Sequence, residues 1–259
     1  MIIFLINAIK IIFLLGFLVL IHEGGHFLVA KLCKVKVNEF AIGFGKILLQ
    51  KQGKETKYSL RLIPLGGFCS MEGEEEESDA PGSFSKASVW KRMSIVVAGA
   101  TVNIIFGILV YFILVTTVGI QFANPAKDTI VNRIYYGAQG TGEFINAIFE
   151  SIKMLFTGGL KTEQMVGIVG ISEVVVKTNG IINYLNLLAV ISVSLGVTNL
   201  LPIPALDGGK LLILLIEVIR RKPMKLETEA KIQLLGFSIL IALSLFVTYN
   251  DILRIGAGS

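Results

Sequence analysis

Four long uncharged or nearly uncharged stretches alternate with polar ones along the 259 residues. Met1 to Ala30 is interrupted only by Asn7, Lys10 and the stretch His22–His26. Ser94 to Ile120, Ile181 to Leu206 and Ile232 to Tyr249 carry no charge at all. A run of ~18 or more apolar residues crosses the hydrocarbon core of a bilayer as a helix, so the pattern predicts four membrane spans. The shorter run Leu211–Ile219, broken by Glu217, predicts an interfacial helix. Between the first two spans, Lys57-Tyr58-Ser59-Leu60-Arg61-Leu62 alternates polar and apolar, the period of a half-buried strand. Lys46–Gln50 precedes it across a turn containing Gly53, which predicts a β-hairpin, with turns flanking it at Gly43-Phe44-Gly45 and Pro64-Leu65-Gly66-Gly67. The expected fold is therefore membrane all-α: four transmembrane helices with a β-hairpin at the membrane.

The remaining segments are less regular. Glu72–Asp79 is an acidic run and reads as a solvated loop. Within 121–180, Phe144–Phe156 is amphipathic enough for a helix lying on the outer surface, and Val166–Ile171 reads as a glycine-assisted packing segment. The first span lacks a basic n-region and an A-x-A-like cleavage site, so it is expected to be retained.

Composition agrees with the bilayer. The chain is 53% hydrophobic and 17% charged, with mean hydropathy +0.74, whereas soluble domains carry roughly 25% charge. Eleven of the 24 Lys/Arg residues lie in 31–92 and six in 207–231. The positive-inside rule puts those two segments in the cytoplasm and both termini outside. The basic excess thus reads as topology, with no nucleic-acid partner. Only Cys33 and Cys69 are present, too few for a cysteine metal site; both read as reduced thiols.

The chemistry lies in the only two histidines. His22-Glu23-Gly24-Gly25-His26 fits H-E-x-x-H, two imidazoles one helical turn apart with a glutamate placed to take a proton from water. Chance placement of two histidines and a glutamate in that pattern arises roughly once in two thousand such chains. A charged group inside a span is costly, which strengthens a functional reading. Gly24 and Gly25 each weaken the helix by ~1 kcal/mol relative to alanine and point to close backbone approach. A catalytic zinc takes three protein ligands, and with no third histidine the third must be a carboxylate. Of the four aspartates, only Asp207 sits at the cytoplasmic end of a span, in Asn199-Leu-Leu-Pro-Ile-Pro-Ala-Leu-Asp207-Gly-Gly209. An aspartate at a helix end is also a common cap; the two-histidine motif at matching depth favours the ligand.

At these residues the chain resembles the bacterial site-2 proteases of the RseP/RasP type, intramembrane zinc metalloproteases. The resemblance runs through HEGGH at 22–26, GFGK at 43–46, IPLGGF at 63–68, the FSKASVWKR approach to the second span and NLLPIPALDGG at 199–209. It implies Zn2+ on His22, His26 and Asp207, Glu23 as general base, and Asn199 on the substrate backbone. It further implies that the 34–68 hairpin is a reentrant β-loop receiving the substrate, with Gly43, Gly45, Leu60 and Leu62 among the receiving residues. Lys57–Leu62 is expected to offer the exposed strand edge. The implied organisation is a first half of the protease core (1–120), an extracytoplasmic segment (121–180) and a second half (181–259), in the inner (plasma) membrane. The implied substrates are single-pass membrane proteins such as anti-sigma factors or remnant signal peptides.

Three departures stand out. Gly99-Ala-Thr-Val-Asn103 has Ala100 where the family motif has proline, and Val166-Gly167-Ile168 replaces S-G-P. The PDZ domain expected between the second and third spans is missing. Tyr136-Gly-Ala-Gln139 reads like the start of a PDZ strand that stops at once in Gly140-Thr-Gly-Glu-Phe144, in a naturally short chain or at an engineered deletion with Gly-Thr-Gly as linker and Gly256-Ala-Gly-Ser259 as a tag remnant. A silent membrane scaffold and a metal transporter are the competing functions. Intact Glu23 and Asp207 argue against the first, and a single ligand set against the second.

Overall fold

The computed structural model describes residues 2–74, 76, 78–157 and 167–256. Glu75 and Glu77 of the acidic run, Val166 of the glycine segment and residues 257–259 lie outside the described residues. The elements run α1 (Ile2–Leu32), β1 (Val37–Gln52), β2 (Lys57–Met71), α2 (Val89–Leu114), α3 (Ile130–Thr157), α4 (Ile168–Lys177), α5 (Ile181–Asn199), α6 (Asp207–Arg220) and α7 (Leu226–Gly256). Four helices are long and apolar enough to cross a membrane: Leu5–Leu32, Val89–Gly119, Ile181–Asn199 and Leu226–Arg254. The last turn of the second, Val115–Gly119, is π-helical.

Two compact units divide the chain, Met1–Asn103 with Leu195–Ala242, and Ile104–Ser194 with Leu243–Ser259. The first has a core of Ala30, Val35, Val37, Cys69, Met71, Phe84, Ile95, Val96 and Leu214. Around it, the Arg92 guanidinium donates to buried Glu217 at 2.6 Å, and Glu217 also accepts from the Met224 N–H at 2.7 Å. In the second unit, Tyr111 stacks on Phe144 with ring centroids 4.1 Å apart, fixing α3 on α2. Buried Asp251 accepts the Gly167 and Gly170 N–H groups at 3.0 and 2.8 Å, which satisfies the first turn of α4 with an anion at its positive end.

The β-hairpin is longer than the alternation predicts and doubles back on itself. One antiparallel register runs from Val37↔Met71 to Gln52↔Lys57, and Glu39–Ile42 also lies beside Lys57–Leu60. The bend falls at Gly43 and Gly45, both left-handed (φ +85° and +80°), with Ile63 O only 2.6 Å from where a Gly43 Cβ would stand. Lys57–Leu60 is therefore flanked on both sides, by Gln52–Leu49 and by Glu39–Ile42. The expected free edge on Lys57–Leu62 is corrected for Lys57–Leu60, which doubling the ribbon moves inside the sheet.

Two further expectations change. Tyr136–Gln139 is part of the 28-residue α3, not the start of a strand. Leu211–Ile219 is helical as expected, but its helix begins four residues earlier, at Asp207.

Candidate metal centre

His22 and His26, one turn apart on α1, bring their Nε2 atoms within 3.2 Å of each other. Asp207 places Oδ2 3.1 Å from His22 Nε2 and 3.5 Å from His26 Nε2. A tetrahedral zinc with bonds of ~2.0–2.1 Å has ligand-to-ligand edges of about 3.3 Å. The three separations match such edges.

The proton positions fit a cation too. A carbonyl only accepts, so His26 Nδ1, 2.8 Å from Ile95 O, carries the ring proton and leaves a lone pair on Nε2. His22 Nδ1 lies 3.5 Å from the Asn103 amide nitrogen; with that amide turned over, its oxygen accepts the Nδ1 proton as Ile95 O does for His26. Asp207 Oδ2 is buried without a hydrogen-bond donor among the described residues. The Nε2 atoms of both histidines and a carboxylate oxygen of Asp207 thus converge, a donor set that suits a shared cation. Outward hydrogen bonds of this kind orient metal-ligating histidines.

Asp207 reaches the histidines because the chain breaks just before it. α5 stops at Asn199, and Pro202 and Pro204 keep Leu200–Leu206 out of helix. Ala205 takes a left-handed φ of +73°. Its N–H donates to Gln233 Oε1 on α7, and Gly236 lets Pro204 lie against that helix. Gly208 and Gly209 admit the carbonyls of Leu201 and Ile203 against the first turn of α6, where any Cβ would collide. Asp207 is the first residue of α6 after the N-cap Leu206, and no side-chain cap bond forms there. Its Oδ2 is turned to the two imidazoles, which supports the ligand reading over a simple cap.

α2 backs the centre. A Cβ on Gly25 would stand 2.7 Å from Ala98 O, and one on Gly99 would run into both imidazoles. Gly24, expected to share this role, has nothing within 4 Å. Glu23 opens onto a cavity of about 520 Å³ shared with His22, His26 and Asp207. Phe44, Phe68 to Met71, Glu74, Val96 and Lys210 complete its walls. Burial pushes the Cys69 thiol up to about 12, helped by the carboxylates of Glu23 and Glu74.

The structure thus brings together His22, Glu23, His26 and Asp207, with the Asn199 amide 3.4 Å from His22 Nε2. It does not bring Leu60 or Leu62 there; Leu60 lines a separate cavity with Phe40, Ile42 and Leu49. Gly43 and Gly45 do not line the cavity beside Glu23, although Phe44 between them does. The strand at the cavity is Phe68–Met71, which pairs with β1 through Val37–Ala41. Sequence reasoning missed this edge, along with Glu74 and Lys210. Gly99 and Asn103 were visible only as a motif, and their spacing of four puts both on one helical face.

The family model of peptidase family M50 matches residues 10–243. A Clostridium acetobutylicum protein named as a zinc metalloprotease is 32% identical over 329 aligned positions, covering 95% of this chain and 97% of the relative. The zinc metalloprotease RasP of Bacillus licheniformis is 26% identical over 418 positions, covering 96% and 99%. The regulator of sigma-W protease RasP of Bacillus subtilis is 24% identical over 419 positions, covering 97% and 99%. All three alignments are longer than the 259 residues of this chain, so each relative carries residues within the matched span that this chain lacks.

Proposed function

The chain belongs to peptidase family M50 and is a zinc metalloendopeptidase of the site-2 protease type, and from that premise we propose that it cleaves the transmembrane segments of single-pass membrane proteins at the cavity beside His22, His26 and Asp207. The observation carrying this reading is the triangle of Nε2, Nε2 and Oδ2 atoms with Glu23 on the same cavity. His22, His26 and Asp207 hold the zinc, which when bound polarises the scissile carbonyl and acidifies water. Glu23 takes the proton from the attacking water and hands it to the leaving amine. Asn199, beside His22, holds the neighbouring substrate backbone.

A helical substrate hides its carbonyls in its own hydrogen bonds, so it must unwind locally, and freed backbone groups cost several kcal/mol in lipid. The Phe68–Met71 edge supplies partners by strand addition, in a doubled ribbon dipping into the membrane. The relative named for sigma-W regulation supports substrates of the anti-sigma-factor type, with remnant signal peptides as the second class. The charge bias supports cytoplasmic 31–92 and 207–231 with both termini outside. The longer relatives support a domain absent from 121–180.

The test is Glu23→Gln in purified protein with a single-span substrate. The expected pair of results is zinc near one per chain and cleavage abolished; full residual cleavage would overturn the assignment.

A further inference from the structure

The catalytic cavity does not end at Asp207. A second cavity, of about 640 Å³, shares Glu74, Asp207 and Lys210 with it. Its volume falls within the range of ligand pockets, roughly 300–1,000 Å³. One wall is an apolar stripe on α7, Leu226, Ala230, Leu234 and Phe237, at the spacing of a single helical face. Leu234 is 65% exposed and Phe237 55%, so these side chains lack packing from the described chain. Polar side chains line the cavity as well. Lys210 Nζ pairs with the Glu74 carboxylate at 2.6 Å, and Glu229 lies on the α7 side between the apolar positions.

We infer that this second cavity is a substrate subsite, which takes the residues on the side of the scissile bond away from the Phe68–Met71 edge and selects an apolar side chain by size against Ala230 and Leu234. The inference rests on the protease reading of the centre. Glu74, Asp207 and Lys210 belong to both cavities, so a chain crossing the metal centre from the strand edge continues into the second cavity. What enters is a freshly unwound apolar segment. Its side chains match the α7 stripe, and its freed backbone N–H and C=O groups require polar partners wherever the cavity shields them from water. Glu229 accepts from N–H groups, and Lys210 donates to carbonyls. A cavity lined only by leucine would leave those groups bare, and one lined only by charge would exclude the side chain.

The stripe makes a size test possible. Ala230 is exposed, so a larger side chain there fills the cavity without displacing core. The assay uses purified wild type, Ala230→Trp and, as a control on another face, Leu235→Trp. The probes are single-span apolar peptides with Gly, Ala, Leu, Phe or Trp at each of three positions on either side of the cut, which mass spectrometry locates. The expected result is that wild type prefers Leu or Phe at one position. There Ala230→Trp lowers kcat/KM by about tenfold or more for Leu and Phe, and under about threefold for Gly and Ala, as expected for a pocket that reads side-chain size. Leu234→Ala shifts the preference toward Trp and carries the same test if Ala230→Trp does not yield folded, zinc-loaded protein. Equal losses for all peptides in a zinc-loaded variant, or no loss for any, overturn the subsite while leaving the protease reading intact. Cleavage by Glu23→Gln, or none by wild type, overturns the protease reading and the subsite with it.

Discussion

Gly99→Ala tests how closely α2 is fitted behind the metal centre. In a helix interior, alanine is ~0.8–1.0 kcal/mol more favourable than glycine, so without crowding this variant is stabilised. Here the added Cβ would stand 2.8 Å from His26 Cε1 and 2.9 Å from His22 Cε1, and closer still to His26 Nε2. Carbon atoms rest at about 3.5–4.0 Å, so relief needs about 0.6–1.2 Å of movement shared between the helix and the two rings. A metal site tolerates ~0.2 Å in its ligand distances, several times less than that. The expected loss is at least the 10–100-fold in metal affinity typical of disturbing groups that orient ligands, about 1.4–2.7 kcal/mol. The assay is zinc retained against a graded chelator series in detergent, with cleavage and thermal unfolding measured in parallel. Gly24→Ala is the matched control, since nothing lies within 4 Å of its Cβ, and it should keep zinc and gain slight helix stability. Wild-type zinc affinity in Gly99→Ala, with a raised Tm, would refute the packing argument.

Asp207→Ala should lower both zinc content and activity, with Asp128→Ala, whose carboxylate pairs with Arg133, as the silent control; equal zinc in both variants would place the third ligand elsewhere. Ser70→Pro removes a backbone donor from the strand at the cavity and should cost most activity on an intact transmembrane segment but much less on a short extended peptide. The matching proline at Leu60 should instead destabilise the sheet and lower Tm; equal substrate losses in both variants would make the ribbon mere scaffold. On a cysteine-free background, single cysteines at Ser78 and Lys222 should be protected from an impermeant thiol reagent in intact cells. Both labelling readily would reverse the orientation drawn from the charge bias.

Some of this protein was decided by periodicity and rarity alone. Uncharged runs longer than a bilayer core leave the backbone one economical structure, and among the described residues the structure has four such helices where the sequence places four spans. H-E-x-x-H is local, because helical geometry alone puts His22 and His26 on one face, and Pro202 and Pro204 mark the break before Asp207 without any tertiary information. The membership in a zinc metalloprotease family followed from motifs of that local kind. Tertiary structure decided everything that depends on which segments meet. Alternation at Lys57–Leu62 announced a strand but not its neighbours, and only the bend at Gly43 and Gly45 shows that this strand is interior while Phe68–Met71 faces the cavity. Gly24 and Gly25 look alike in sequence, yet only Gly25 meets Ala98, because which side of α1 faces α2 is settled by packing. Lys210, Glu74 and the α7 stripe are far apart along the chain, and charge or hydropathy at single positions carries no record of their partners. Asp207 joins the two levels. Its residue type and the prolines before it made it a candidate ligand, and the loop folded back onto Gln233 and Gly236 brought its carboxylate to the imidazoles.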